Sequence, residues 1–240
     1  MSARRTRPVV AIDGPAGSGK STVARLVAQR LGFAIVDTGA IYRCVALEAI
    51  RRNVPADDGP ALGALAAGVR LRFEDRERGR RVWLNGKEVA EDIRTPELSA
   101  AASKISAKPE VRAALLGLQR ELGNAGGVVL EGRDVGTVVF PDAEVKIFLV
   151  ATPEVRARRR TAELIGKGLA ATFEKTLEEV QRRDERDQGR PIAPLRKAAD
   201  ALVIDTGPLS IDQVVEQILN IVNQRTQGRC TCNALNATEP

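Results

Sequence analysis

The sequence contains no histidine and only three cysteines among its 240 residues. Without histidine, the chain has no imidazole that can act as a general base or ligate a metal ion. Three cysteines are too few for a disulfide framework and are typical of proteins from a reducing compartment. They are Cys44, Cys230 and Cys232. The last two lack a second pair of ligands, so we expect no structural zinc site.

Aromatic residues and long apolar runs are also scarce. Aromatic side chains make up 3% of the chain, whereas 43% of the residues are hydrophobic, which is typical of a folded globular protein. No apolar run has the length of a membrane span, and the run from Val9 to Ile12 is too short for the core of a signal peptide. We therefore expect a cytoplasmic protein with no membrane partner. No pattern suggests an apolar face beyond the needs of a monomer, so we expect a monomer.

The excess of positive charge is small. The chain has 37 basic and 31 acidic residues, a net charge of +6, and Arg4, Arg5 and Arg7 contribute three of the basic residues from an N-terminal arm. The rest of the positive charge is explained equally well by internal arginines that bind small phosphate groups and by a nucleic-acid-binding surface. Salt-dependent binding of DNA by the folded core after deletion of residues 1–7 would favour the nucleic-acid alternative. We expect no dedicated nucleic-acid partner.

Five continuous apolar runs rich in β-branched residues predict strands that are buried on both faces. They lie at residues 8–13, 33–37, 127–131, 144–151 and 200–205. Segments with helical spacing separate them, at residues 21–32, 96–122, 153–165, 173–187 and 211–223. This alternation predicts an α/β fold in which helices flank a five-stranded parallel sheet with right-handed crossovers.

One stretch, residues 62–95, departs from this pattern. Residues 69–73 and 81–85 alternate with period two, Asn85-Gly86 is a strong hairpin signal, and a short third run follows at residues 88–93. These features predict a small antiparallel β insert at 62–95 within a core of residues 8–61 and 96–224. Residues 225–240 show no periodicity, and we expect a disordered tail there.

A glycine-rich motif joins the first predicted strand to the first predicted helix. Gly14-Pro-Ala-Gly-Ser-Gly-Lys-Ser21 matches GxxxxGK[ST] in the strand–loop–helix context that a P-loop requires. Glycines let consecutive N–H groups surround phosphate oxygens at the N-terminus of a helix. Lys20 reaches the β- and γ-phosphates, and the Ser21 hydroxyl ligates Mg²⁺. The motif therefore predicts a nucleoside triphosphate site that is formed by Gly14, Pro15, Ala16, Gly17, Ser18, Gly19, Lys20, Ser21 and Thr22.

Arginines follow three of the predicted strands. Ligands of an open α/β sheet bind outside the carboxyl ends of its strands, and forked guanidinium groups suit phosphate oxygens. The arginines in these positions are Arg43, Arg133, Arg156, Arg158, Arg159 and Arg160. Arg43 alone is more readily interpreted as a surface arginine, but the set favours a second phosphorylated substrate. The sequence lacks the NKxD motif of a GTPase, so the pattern favours a small-molecule kinase.

Three separated motifs resemble bacterial cytidylate kinase, a P-loop nucleoside monophosphate kinase. They are Asp37-Thr-Gly-Ala-Ile-Tyr-Arg43, Glu131-Gly-Arg-Asp-Val-Gly-Thr-Val-Val-Phe-Pro141, and Arg183-Asp-Glu-Arg-Asp187 with Arg190. The resemblance covers residues 8–224. It implies a P-loop kinase core, a nucleotide-monophosphate-binding insert at 62–95 and a helical lid at 156–170. It also implies ATP-dependent, Mg²⁺-dependent phosphorylation of CMP and dCMP.

The resemblance further implies which side chains contact the acceptor nucleotide and which act in the transfer. The implied acceptor-binding residues are Thr38, Arg43, Ser103, Arg112, Arg133, Asp134, Arg183, Asp187 and Arg190. Within this set, Ser103, Arg112 and Asp134 would read the cytosine. Arg133 and Arg190 would hold the phosphate, and Arg183 and Asp187 would contact the sugar. The implied catalytic residues are Lys20, Arg133, Arg156, Arg159 and Arg160.

Other interpretations remain open at this stage. Ser103 is equally an ordinary helix serine, and Arg112 a solvated helix charge. Arg183 and Asp187, four positions apart, are equally a surface ion pair of a few tenths of a kcal/mol. A P-loop kinase for another small acceptor, such as shikimate or gluconate, is the alternative function, although the hairpin insert and the Arg183–Arg190 cluster argue against it.

Overall fold

The computed structural model describes residues 5–76 and 79–230. The chain forms two compact units. Of the described residues, the first unit, called the core unit here, contains 5–36, 122–188 and 193–230, and the second unit contains 37–76, 79–121 and 189–192. The second unit is larger than the insert predicted at 62–95, because the helices before and after the antiparallel strands pack with one another.

The elements alternate along the chain as the sequence predicts for an α/β fold. The strands are β1 Val9–Asp13, β2 Ala34–Asp37, β3 Leu71–Arg76, β4 Gly79–Leu84, β5 Lys87–Glu88, β6 Val128–Gly132, β7 Val145–Val150 and β8 Leu202–Asp205. The helices are α1 Lys20–Leu31, α2 Thr38–Arg51, α3 Gly59–Gly68, α4 Pro96–Ile105, α5 Pro109–Glu121, α6 Pro153–Gly166, α7 Phe173–Gln188 and α8 Ile211–Cys230. A 3₁₀ turn spans Asp92–Arg94, and a π-helical turn spans Val135–Val139.

The main sheet confirms the predicted five parallel strands. Its order is β2-β6-β1-β7-β8, with Val9 opposite Val128 and Val10 opposite Val145. β1 therefore lies in the middle, between strands that come much later in the chain. The carboxyl end of β1 is the point where the strand order reverses, which is where open α/β sheets bind their ligands.

The core of this unit lies between the sheet and the helices α1 and α8. Val10 and Ile12 of β1 are fully buried, as are Val27 of α1 and Ile218 of α8, and all four belong to one apolar cluster. Continuous burial along β1 explains why its sequence is an uninterrupted apolar run rather than an alternating one. The sheet is thereby a rigid support for the loop that follows β1.

The second unit combines helices α2 to α5 with the antiparallel sheet β3-β4-β5. Asn85 and Gly86 connect β4 to β5 with φ values of 50° and 84°, which confirms the predicted two-residue hairpin turn. The third strand is shorter than predicted at 88–93. It ends at Glu88, and the chain then turns through Asp92–Arg94, which places Ile93 in the apolar cluster of this unit.

Two helix boundaries differ from the prediction. The segment 96–122 forms two helices, because Pro109 disfavours a helical conformation at Lys108 and starts α5 instead. At the other end of the chain, α8 continues to Cys230, seven residues beyond the helix end predicted at 223. Arg225 donates to the Asp200 carbonyl at 3.4 Å and Thr226 to the Val222 carbonyl at 2.8 Å. Residues 231–240 of the predicted tail lie outside the described residues.

The N-terminal arm is bound to the core unit where the structure describes it. Arg5 pairs with Asp142 at 2.9 Å, and Arg7 donates to the Gly32 carbonyl at 2.8 Å. Arg4, the third arginine of the arm, lies outside the described residues. Within residues 5–76 and 79–230, no helix has both the length and the apolar character needed to cross a membrane.

Candidate functional site

The loop between β1 and α1 has the geometry of a phosphate-binding loop. Gly14, Gly17 and Gly19 have φ values of 150°, 77° and 86°, which L side chains rarely adopt. A Cβ at Gly14 would lie 2.2 Å from the Leu149 carbonyl oxygen, so this position requires glycine for space as well as for conformation. Helix α1 begins directly after the loop, and its N-terminal N–H groups favour an anion there.

Lys20 is the cation of this loop. Its side chain is buried, and Nζ donates to the Pro15 carbonyl at 2.6 Å and to Ser18 Oγ at 3.3 Å. Burial, and next the positive charge of Arg133, hold the pKa of the Lys20 ammonium well below its ordinary value of 10.5. An anion beside Lys20 would be stabilised by an ammonium group that water does not screen.

A partly buried ion pair between α6 and α7 supports the loop. Both terminal nitrogens of the Arg156 guanidinium donate to the Asp184 carboxylate, at 3.0 and 2.5 Å, and one of them also donates to the Ala16 carbonyl at 3.1 Å. Arg159 similarly donates to the Thr206 hydroxyl, at 2.9 Å. Bidentate pairs fix direction as well as distance. In this structure both arginines therefore orient protein groups at the loop.

A hydroxyl at the start of α1 and a carboxylate near the end of β6 form a donor set that suits Mg²⁺. Ser21 Oγ donates to Glu131 Oε2 at 2.8 Å, and Glu131 is buried at the end of β6. Within the described residues, no group of three or more histidine, cysteine or acidic side chains could hold a metal ion. Mg²⁺ in kinases is usually held by one or two protein oxygens together with substrate phosphates, so Ser21 and Glu131 fit that role.

Asp13, the last residue of β1, connects the sheet to the Arg133–Asp134 segment. Its two carboxylate oxygens accept hydrogen bonds from the Val135 and Gly136 N–H groups, at 2.9 and 2.7 Å. Burial raises the pKa of the Asp13 carboxyl from 3.8 to about 6, although these two hydrogen bonds oppose the shift. Asp13 thus fixes the backbone that immediately follows Asp134.

The raised pKa of Asp13 predicts a pH-dependent stability. The folded chain binds this proton more tightly than the unfolded chain, so its contribution is complete below pH 3.8 and is lost as the pH rises through about 6. Between pH 7 and pH 5, the unfolding free energy of the wild type should rise by about 1 kcal/mol relative to Asp13→Asn. Urea unfolding at each pH measures the difference. Parallel pH profiles for the two proteins would contradict the assignment.

The core unit brings three of the predicted substrate residues together. Asp187, fully buried on α7, accepts a hydrogen bond from Arg133 Nε at 2.8 Å and lies 4.0 Å from Arg183 Nε. Arg133 and Asp134 follow β6 directly, at the edge of the sheet that carries the phosphate loop. The sequence alone left Arg183 and Asp187 as a possible surface pair, whereas the structure shows Asp187 buried against a second arginine.

The second unit positions two further predicted residues, Thr38 and Arg43, at the start of α2. Asp37 caps this helix by accepting from the Ala40 N–H at 3.0 Å, and its other oxygen binds Arg43 at 2.7 Å. Thr38 is buried beside it. The capping carboxylate therefore orients Arg43 and starts the helix at the same time.

Helices α4 and α5 bring the remaining predicted residues of the second unit together. Ser103, Arg112 and Arg190 are all buried. The Ser103 hydroxyl has no hydrogen-bond partner among the described residues, which leaves a buried polar atom for a ligand to satisfy. The Arg112 guanidinium lies over the Tyr42 ring at 5.6 Å and donates to the Ser106 carbonyl. Ser103 and Arg112 thus differ from the ordinary helix residues that the sequence left as alternatives.

Arg160 differs from Arg156 and Arg159, because its ion-pair partner lies on its own helix. It pairs with Glu163, three positions along the exposed face of α6. Sequence reasoning also missed four residues that orient the site, namely Asp13, Asp184, Thr206 and Ser106. Asp13 was identifiable from its place between a buried strand and the P-loop. The other three have no sequence signal, because their partners are 28 to 188 positions away.

Comparison with known proteins gives close matches over nearly the whole chain. The profile of a family described as cytidylate kinase matches residues 10–224. A cytidylate kinase from Syntrophotalea carbinolica is 53% identical over 219 residues, which are 91% of this chain and 93% of the relative. One from Geobacter sulfurreducens is 49% identical over 95% of this chain and 97% of the relative. The crystal structure of an uncharacterized protein from Eubacterium ventriosum aligns with a TM-score of 0.51 at 13% identity. It covers 90% of this chain and 99% of that one, and it shows the fold alone.

Proposed function

The chain belongs to the cytidylate kinase family, and we propose that it transfers the γ-phosphoryl group of ATP to CMP and dCMP, producing CDP and dCDP. The observation that carries this proposal is the family match over residues 10–224, which includes the complete phosphate loop with its buried Lys20. Nothing in the comparisons supports the alternative of another small acceptor.

The donor nucleotide would bind at the loop between β1 and α1. The loop N–H groups and Lys20 would neutralise the β- and γ-phosphates, as in other P-loop enzymes. When bound, Mg²⁺ would supply further positive charge at these phosphates, and Ser21 with Glu131 would hold it. Arg156 would support the loop through the Ala16 carbonyl, and we propose that Arg159 and Arg160 act with it during transfer.

We propose two sets of acceptor-binding residues, one set within each unit. In the core unit these are Arg133, Asp134, Arg183 and Asp187. In the second unit they are Thr38, Arg43, Ser103, Arg112 and Arg190. The Asp134 carboxylate would accept a hydrogen bond from the exocyclic amine of cytosine, whereas uracil presents a carbonyl that the carboxylate repels.

The transfer itself needs alignment and charge neutralisation more than covalent help from the protein. A phosphate oxygen of CMP would form a bond to the γ-phosphorus, and the bond from that phosphorus to the β–γ bridging oxygen would break, leaving ADP. Arginines and Lys20 stabilise the charge that develops on the oxygens during this exchange. This chemistry explains why a chain without histidine suffices for catalysis.

We propose that residues 156–170 form a lid that excludes water during transfer. Closure would also suppress hydrolysis of ATP. We further propose that the enzyme is cytoplasmic, where both nucleotides are available, and that it is a monomer, which size-exclusion chromatography with light scattering would measure.

A coupled assay over CMP, dCMP, UMP and AMP tests the proposed function. We expect ADP release with CMP and dCMP at rates at least about a hundredfold above those with UMP and AMP, and dependence on Mg²⁺. EDTA should abolish the activity and excess Mg²⁺ restore it. Equal rates with CMP and UMP would contradict the base-reading assignment, and activity with shikimate or gluconate alone would contradict the proposal as a whole.

A further inference from the structure

Ser106 lies between two helices of the second unit and belongs to none of the motifs that indicate the site. It follows the last residue of α4, and its N–H donates to the Ala102 carbonyl at 2.9 Å, which ends that helix. Pro109 starts the next helix three residues later. The side chain of Ser106 is buried, with 6% of the residue exposed.

Three proposed substrate residues converge on this one serine. The Ser106 hydroxyl donates to the Ser103 carbonyl at 3.1 Å and accepts from Arg190 Nη2 at 3.0 Å. The Ser106 carbonyl accepts from Arg112 Nη1 at 3.1 Å. Arg190 reaches this position from 84 residues further along the chain, in the short segment 189–192 that belongs to the second unit.

The hydroxyl has the right chemistry to orient an arginine. Burial makes a guanidinium without fixed acceptors costly, so each hydrogen bond to Arg190 helps decide where its remaining N–H groups point. Donation to the Ser103 carbonyl fixes the direction of the hydroxyl hydrogen and leaves its lone pairs for Arg190. Ser106 therefore sets the position of Arg190 relative to α4 without itself needing to contact a substrate.

We propose that Ser106 is a positioning residue for the acceptor phosphate, which it affects by holding Arg190; this inference rests on the proposed function. Its side chain and main chain act on different arginines. The hydroxyl serves Arg190, assigned to the phosphate, whereas the carbonyl serves Arg112, assigned to the base. Substitution of the side chain should therefore weaken phosphate binding and leave discrimination between bases unchanged.

The experiment compares Ser106→Ala with the wild type in steady-state assays and in calorimetric titration with CMP alone. We expect the KM and the dissociation constant for CMP to rise about tenfold, since the lost hydrogen bond involves a charged group. The KM for ATP and the ratio of kcat/KM for CMP over UMP should stay within about twofold. A fall in that ratio comparable to the rise in KM would overturn the division between phosphate and base.

Three further variants separate positioning from a general loss of structure. Ser99→Ala, in α4, removes a partly buried hydroxyl that donates to the Thr95 carbonyl at 3.0 Å, and it should behave as the wild type. Ser106→Thr keeps the hydroxyl and should hold the KM for CMP within about threefold. In an Arg190→Ala background, Ser106→Ala should add less than about twofold.

The inference would be overturned if Ser106→Ala raised the KM for CMP equally in the wild-type and Arg190→Ala backgrounds. It would also be overturned if Ser106→Thr raised this KM as much as Ser106→Ala does. Thermal unfolding of each variant identifies any that fails to fold, and the Ser106→Thr result then decides. Failure of the proposed function is a different outcome. In that case the wild type would itself neither phosphorylate nor bind CMP.

Discussion

Lys20→Ala should lower kcat for CMP phosphorylation by about 10³-fold or more, the largest loss that we expect from a single substitution. Lys20 is the buried cation of the phosphate loop, and its ammonium lies among main-chain and hydroxyl oxygens at 2.6 and 3.3 Å. The charge that develops on the transferring phosphoryl group would lose its unscreened partner. Because the charge of the ground-state triphosphate loses that partner too, the KM for ATP should also rise.

The coupled assay with saturating CMP measures this effect, and urea unfolding shows whether the variant folds. Lys197→Ala, which removes an exposed lysine of the same unit, is the matched control and should retain full activity. A Lys20→Ala enzyme that kept more than about a tenth of wild-type kcat would contradict the role of Lys20 in transfer.

Asp134→Asn should change the preferred base. The carboxylate of Asp134 can only accept hydrogen bonds when ionised, whereas an asparagine amide also donates. The variant can therefore donate to the carbonyl of uracil, which the carboxylate repels. We expect the ratio of kcat/KM for CMP over UMP to fall on the order of 10³-fold, from a loss with CMP and a gain with UMP.

The structure makes this a clean test, because the backbone around Asp134 is held independently of its side chain. Asp13 accepts from the N–H groups of Val135 and Gly136, and the Asp134 carbonyl accepts from the Val138 N–H at 2.9 Å. Asp212→Asn, at an exposed position of α8, is the control and should leave the ratio unchanged. Equal losses with CMP and UMP in Asp134→Asn would show that Asp134 does not read the base.

Much of the fold could be predicted from local patterns. Strands buried on both faces, such as Val9–Asp13, are continuous apolar runs, and the turn at Asn85-Gly86 requires residues that tolerate positive φ. The extent of the second unit could not be predicted, because it depends on packing between helices on either side of the insert. The extension of α8 to Cys230 could not be predicted either, because a polar helical turn at the surface lacks the regularly spaced apolar residues that indicate a helix.

The candidate site was predictable where its residues stand in a motif and not where they support one. The run of residues 181–190 illustrates this difference. The spacing of its charges predicts a contact between Arg183 and Asp187. Nothing in the run distinguishes Asp184 from the other acidic residues, although it binds Arg156, 28 positions away in the sequence. Ion pairs between distant segments depend on the fold that brings the segments together, so spacing alone cannot reveal them.

The Arg156–Asp184 pair also restrains the helices α6 and α7 at one of their ends. It joins the start of one helix to the end of the other and to the Ala16 carbonyl, while the opposite end of the helix pair, at residues 167–172, is mostly exposed. A pair of helices fixed at one end behaves as a lever. Since α6 extends about 15 Å from Arg156, a tilt of about 10° there displaces the far end by about 3 Å. Opening and closing of the lid that we propose at residues 156–170 would thus leave the phosphate loop undistorted.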